Sequence, residues 1–347
     1  MNQADDYDKV LPAPSVFKTQ NGTQWTLEYE GDLQFTQTLQ ADGLGGDKCR
    51  TGKIGGKVIW SCGDMMCSSS KPCGFSMGPA FYGEPNSMVV NTDGITNVGD
   101  YNFATAWSGD PKPVAPQTAY GMDTSNVAPI NSTHGVAYVW EITRGDPAGT
   151  ISDKGPGVVS VTLGQNRPIA TRIGPLLGGP SSIQLGLLAI MSARGYIFTY
   201  SIGGPSNIIV GRVKANDDVF DASKYEYLSA ADHKTWIKPG AVPDSSSASK
   251  YGMQTANPSG SFGCAVYGSV FFSDYLGKYV ILCNIYEYWV NMYVADTPHG
   301  PWSAEYGIQG GVMGYGSMAH PEFGTNPLYF SIGPDGPFHM YKLTLKY

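Results

Sequence analysis

The apolar positions of this chain fall in short runs set off by glycine-bearing or polar turns, the signature of strands rather than helices. Five segments share one texture: "GGKVIWSCGD", "HGVAYVWEIT", "RGYIFTYSIG", "GKYVILCNIYE" and "NPLYFSIGPDG". Each is followed by a second strand-like run, "NSMVVNTD", "GVVSVTLG", "NIIVGRVKA", "WVNMYVAD" and "FHMYKLTL". In several cases a more polar strand comes before, as in "SIQLGLLAIM", "GCAVYGSVFF" and "SMAHPEF". The order polar, apolar, mixed recurs at uneven spacing, anchored near Trp60, Trp140, Phe198, Leu282 and Phe330. No long amphipathic helix competes with it. The pattern predicts an all-β chain folded as a five-bladed β-propeller, with the polar strand of each blade innermost. A pair of β-sandwiches is the alternative, but sandwich strands need not recur in such triplets. Residues 31–347 are expected to form a single propeller domain. Residues 1–30 contain most of "TQWTLEYEG", a candidate to close the ring by joining the last blade.

Composition narrows the function. The chain has 347 residues, a formal net charge of −7 and no basic cluster, which argues against nucleic-acid partners. No apolar run approaches the roughly 18–20 residues of a membrane span. Four of the six cysteines lie within Cys49–Cys73, and no histidine shares that stretch. Disulfides therefore fit better than zinc, and they imply an oxidising compartment. The sequons Asn21-Gly22-Thr23 and Asn131-Ser132-Thr133 agree with secretion as a glycoprotein. No signal peptide is visible, and Met1 before the polar "NQADDYDKV" suits a trimmed mature chain with an added start residue. Nothing calls for a cofactor or a catalytic metal; a structural calcium stays open. A monomer is expected.

The stretch "GGDKCRTGKIGGKVIWSCGDMMC" carries the chemistry. With Gly55-Gly56 as a two-residue hairpin turn, counting outward pairs Ile54 with Lys57, Thr51 with Trp60 and Cys49 with Cys62. Asp47 then lies opposite Asp64, in the same column as the cysteines. The register predicts a Cys49–Cys62 disulfide, proximity suggests Cys67–Cys73, and the third expected pair is Cys264–Cys283. Two carboxylates so close should raise one pKa, as a site needing one neutral and one ionised carboxyl requires. The plainer reading has Asp64 capping a turn and Asp47 binding backbone N–H groups.

These residues resemble a known group. "GGD…GKVIWSCGD" followed by "NSMVV" looks like the first blade of a family of secreted five-bladed propellers, formerly of unknown function, that includes the bacterial endo-D-arabinanases. The resemblance continues in "GYIFTYSIGG…NIIVGRV…FDASKYEYLS" and in "YLGKYVILCNIYEYWVNMYVADTPHGPWS", and runs from about Leu33 to the end. It implies a glycoside hydrolase of arabinan type, with the family's two first-blade aspartates at Asp47 and Asp64. This chain has "CGDMMC" where the family has "FGDT", and cysteines that the bacterial members generally lack.

Other candidates are substrate contacts. His320 and Glu322, in "MAHPEF", are expected on the innermost strand of the last blade, with His320 within one sugar ring of the Asp47 carboxylate. Glu141 is a candidate leaving-group acid, Asn86 a candidate sugar ligand, and Gln184 and Tyr267 candidate pocket liners. Three functions follow. A retaining glycoside hydrolase would use Asp47 as nucleophile or base, with Asp64 beside it. A polysaccharide lyase would use His320 and a tyrosine, with Arg50 or Arg212 holding a uronate carboxylate. A non-catalytic sugar-binding propeller would show equivalent aromatic sites on every blade.

Overall fold

The computed structural model describes residues 25–36, 43–67, 73–145, 150–204, 207–265, 267–285, 289–310, 315–333 and 337–346. Strands dominate, and the helical segments among the described residues are short 3-10 turns. The fold is an all-β propeller. Four sheets are each built from a nearly continuous stretch of chain. One runs from Gln117–Thr124 through His134–Gly145 and Ile151–Leu163 to Pro168–Thr171. The next begins at Ala189–Ala193 and ends at Trp236–Ile237, and another runs from Gly268–Ser273 to Tyr306–Gly310. The last contains Tyr315–Ala319, Leu328–Gly333 and His339–Leu345. Its outermost strand is Trp25–Asp32, which pairs antiparallel with His339–Leu345 and so joins the two ends of the chain.

The first unit is divided. Cys49–Ile54, Lys57–Cys62 and Ala80–Tyr82 form one small sheet, and Gly45–Gly46, Asp64–Met66 and Phe75–Met77 form another. Inner strands touch in a closed circuit: Cys49–Ile54, Ala128–Pro129, Ala189–Ala193, Gly268–Ser273, Tyr315–Ala319, and back to Cys49–Ile54.

The apolar runs explain this stacking. Val136, Ala137, Tyr138, Val139 and Trp140 are all buried in succession, so both faces of their strand are covered. That is the pattern of a sheet enclosed between neighbours, not of one with a solvated face. The apolar clusters lie between adjacent units. Ile54, Ile59 and Phe103 pack with Val139 and Val159, Tyr138 with Ile197 and Tyr227, and Phe198 with Ile281 and Trp302. Leu282 packs with Phe330 and Leu343, and Phe338 and Met340 pack with Trp60 and the cysteines of the first unit.

The hairpin has the expected register: Cys49 pairs with Cys62, Thr51 with Trp60 and Ile54 with Lys57. Its turn residues have φ of 53° at Gly55 and 87° at Gly56, a region that glycine enters without the Cβ penalty. All three expected disulfides are formed: Cys49–Cys62, Cys67–Cys73 and Cys264–Cys283. This fits an oxidising compartment. No described helix is long and apolar enough to cross a membrane. Asn131 sits in an exposed turn, its Oδ1 accepting hydrogen bonds from the backbone N–H groups of Thr133 and His134. Asn21 lies outside the described residues.

Candidate functional site

The hairpin register continues past the disulfide toward one end of the ring. Gly46 pairs with Met65, and between these pairs the Asp47 backbone N–H donates to the Asp64 carbonyl at 3.0 Å. Asp47 and Asp64 thus meet where the two small sheets of the first unit part, both half-buried. They line a cavity of about 200 Å³ together with Lys48, Asp123, Arg144 and Tyr267. Trp140, Asp153 and Gln184 complete its wall.

Lys48, which also lines this cavity, is the next residue in the chain after Asp47. Its ammonium lies 2.8 Å from Asp123 Oδ1 and 3.8 Å from the centre of the Tyr267 ring. The Tyr267 hydroxyl donates to Asp123 Oδ2 at 2.6 Å. Burial works against the Asp123 carboxylate, but the charges of Lys48 and Arg50, with hydrogen bonds from Lys48 and Tyr267, hold its pKa below the usual value. Burial likewise lowers the pKa of Lys48 against the attraction of Asp123.

Arg50 ties the centre together. Its guanidinium donates to the carbonyls of Thr124 and Leu187, joining the first unit to the next two.

Asp64 has a different environment. Its Oδ2 is 2.9 Å from Arg144 Nη2. Burial raises its pKa, opposed by Arg144 and Lys48 and assisted by the negative charge of Asp123. The cavity therefore holds one carboxyl, Asp64, whose pKa burial raises, and one, Asp123, whose pKa its cationic neighbours lower. Trp140 offers an aromatic wall fixed by a 2.9 Å hydrogen bond from its Nε1 to Asp153. Such a set can stack a sugar, donate a proton and stabilise developing positive charge.

Of the remaining sequence candidates, Gln184 and Tyr267 line this cavity and the others do not. His320 is completely buried, its ring 4.6 Å from that of Trp60. Its Nδ1 is 3.2 Å from Thr51 Oγ1 and its Nε2 3.0 Å from Ser331 Oγ. Burial lowers its pKa to about 3, so it is neutral. Glu322 follows it in a 3-10 turn, accepts a hydrogen bond from Thr51 Oγ1, and lines two other cavities, toward the opposite end of the Cys49–Ile54 strand. The expectation that both face the Asp47 cavity is thus corrected. Pro321 starts the 3-10 turn instead of extending the strand, and Thr51, which engages both side chains, lies four residues beyond Asp47.

Glu141 is likewise not a cavity group. It is buried 2.6 Å from Arg172 Nη1, which also lies 3.1 Å from Asp110. Its strand neighbour Trp140 takes the cavity side, and Glu141 falls on the other face. Asn86 occupies a turn at φ 56° and lines a different cavity.

Sequence reasoning missed Lys48, Asp123, Trp140, Arg144 and Asp153. Lys48 had a usable signal, a charge alternating with Asp47 at the head of a buried strand. Asp123 and Arg144 had none, because only the pairing of the second sheet brings them beside the first unit.

No family model matches this chain, and no curated protein matches its sequence. Among solved structures the chain is similar to the RS223 β-xylosidase, at 13% identity over 92% of this chain and 94% of that one, with a TM-score of 0.52. Weaker matches include the exo-β-1,3-galactanase of Phanerochaete chrysosporium bound to β-1,3-galactotriose, at 11% identity, 91% and 64% coverage and a TM-score of 0.45. Another is the catalytic domain of the Coprinopsis cinerea GH62 α-L-arabinofuranosidase, at 11% identity, 93% and 96% coverage and a TM-score of 0.39. At such identities the likeness to the xylosidase is one of fold.

Proposed function

We propose that the protein is a secreted five-bladed propeller that hydrolyses glycosidic bonds in a polysaccharide, at the cavity lined by Asp47 and Asp64. The observation that carries this reading is the meeting of those two aspartates at one cavity, joined by the backbone hydrogen bond from Asp47 to Asp64, with burial raising the Asp64 pKa. Asp64 protonates the leaving oxygen and Asp47 attacks the anomeric carbon, giving a covalent intermediate that water then cleaves. The backbone hydrogen bond between Asp47 and Asp64 keeps the two residues together, which suits a retaining mechanism, whose carboxyls stand about 5–5.5 Å apart. Asp123 keeps a fixed negative charge near Asp64, and Lys48 and Tyr267 hold Asp123 in place. An arabinan-type substrate is suggested by the sequence resemblance alone.

The lyase reading needs a base at the substrate and a cation for a uronate. His320 is enclosed between Trp60 and Thr51, and Arg212 is committed to Glu226 at 2.9 Å. Both facts weigh against it. The test is a product profile from plant, fungal and bacterial polysaccharides. New reducing ends without unsaturated-uronate absorbance support hydrolysis; unsaturated uronate products would replace it with elimination. Binding without cleavage would leave only a lectin-like propeller.

A further inference from the structure

A cavity of about 520 Å³ lies apart from the Asp47 cavity. It opens beside the other end of the Cys49–Ile54 strand, where Lys53 and Glu322 form part of its wall. Lys53 and Glu322 also line a second cavity of about 220 Å³, so the two adjoin at those side chains. The larger is within the size range of small-molecule sites, roughly 300–1,000 Å³.

Its chemistry is distinctive. Three carboxamides, Asn86, Gln165 and Asn166, come from two separate loops, beside Asn91, whose amide donates to Glu84 and whose Oδ1 accepts from the Asp93 backbone N–H. A carboxamide both donates and accepts, which suits hydroxyls that do the same. The Tyr82 ring stands in the wall, fixed by its hydroxyl bond to the Gly164 carbonyl at 2.9 Å and by Lys57, 4.3 Å above its centre. Phe323 adds a second ring, packed near Trp60 at 5.9 Å. Charges of both signs line it: Lys53 and Lys57, and Glu84, Asp93 and Glu322. No single-sign field favours an ionic ligand. The adjoining cavity is more apolar, with Val127, Ile190, Met191 and Phe271 in its wall.

We propose that this cleft is a second saccharide-binding site, for a neutral oligosaccharide segment, separate from the cavity of Asp47. Asn86, Gln165 and Asn166 take the hydroxyl edges of the sugar, and Phe323 with the apolar wall of the adjoining cavity takes its C–H faces. The site would hold a polymer on the protein without acting on it. Its existence does not depend on whether the Asp47 cavity is catalytic.

The experiment uses the full chain carrying Asp47→Asn, so that no probe is consumed, in native gels cast with soluble arabinan, galactan or xylan, and with polygalacturonate as the anionic probe. Asn86→Gly and Asn166→Ala are then added. Glycine accepts the backbone of residue 86, and Asn166 is exposed, so both variants should fold, as melting curves will show. Expected is retardation by at least one neutral polymer that the two added substitutions weaken by about tenfold, consistent with the loss of two or more hydrogen bonds. Retardation unchanged by these substitutions overturns the proposal. So does retardation by polygalacturonate alone, or by none of the polymers. Cleavage assays on the chain with native Asp47 report separately on the catalytic reading.

Discussion

Asp47 and Asp64 share a hairpin, yet their surroundings differ enough to divide the work between them. Asp47→Asn keeps the shape of the side chain and removes its charge and nucleophilicity. Turnover should fall by at least about a hundredfold with little change in melting temperature. Asp64 must donate a proton, so activity should decline as pH rises through its raised pKa. Arg144 is the largest influence holding that pKa down. Arg144→Gln should therefore move the alkaline limb of the pH–rate profile to higher pH, and a shift to lower pH would show that Asp64 is not the acid. Glu141 gives a stability counterpart. Burial, with the nearby Asp110 charge, pushes its carboxyl from 4.5 up to about 7 despite Arg172. Because the folded state then binds the proton more tightly than the unfolded chain, Glu141 makes stability fall as pH rises from about 4.5 to about 7. Melting curves across that window should show the decline, and Glu141→Gln should flatten it. Some of these residues were legible in the sequence. Asp47 and Asp64 were, because a Gly-Gly turn fixes a register by counting. Glu141 was misjudged because alternation does not say which face of an enclosed strand meets the cavity, and both are buried.

The hairpin is the element on which the site depends. The Cys49–Cys62 bond lies directly beneath the aspartates and closes a loop with a sequence separation of 13. Replacing both cysteines with serine should cost about 3 kcal/mol in the chain-entropy account of such a loop, measurable in denaturant unfolding. Activity of the folded fraction should also drop, since the bond pins the register that brings Asp47 and Asp64 together. From the last sheet, Gly333 comes so close that a Cβ there would lie 2.0 Å from the Asp47 carbonyl oxygen. Gly333→Ala must displace one of the two backbones. It should lower turnover strongly while leaving circular dichroism strand-like. Hairpin pairing and disulfides could be read from local pattern. The departure of His320 and Glu322 could not, because a proline after a strand allows either an extended edge or a turn, and here the 3-10 turn prevails.

The ring explains both the reach of the sequence reading and its limit. Strand triplets in the order polar, apolar, mixed pointed to propeller blades, and apolar clusters between successive units fit that arrangement. What periodicity cannot carry is the meeting of distant units at the centre, where Lys48 finds Asp123 and Arg50 reaches Leu187. Removing residues before Leu33 would strip Trp25–Asp32 from the edge of His339–Leu345. That exposes unpaired backbone groups and the apolar contacts of Trp25 and Leu27, so the truncated chain should melt earlier and aggregate. The most direct test of the account is the rate at which new reducing ends appear when neutral polysaccharides are incubated with the native chain and with Asp47→Asn at equal folded concentration. Expected are reducing ends from the native chain, without unsaturated-uronate absorbance, and a loss of at least about a hundredfold in the variant. Near-native cleavage by Asp47→Asn, or no cleavage of any polymer by the native chain, would contradict it.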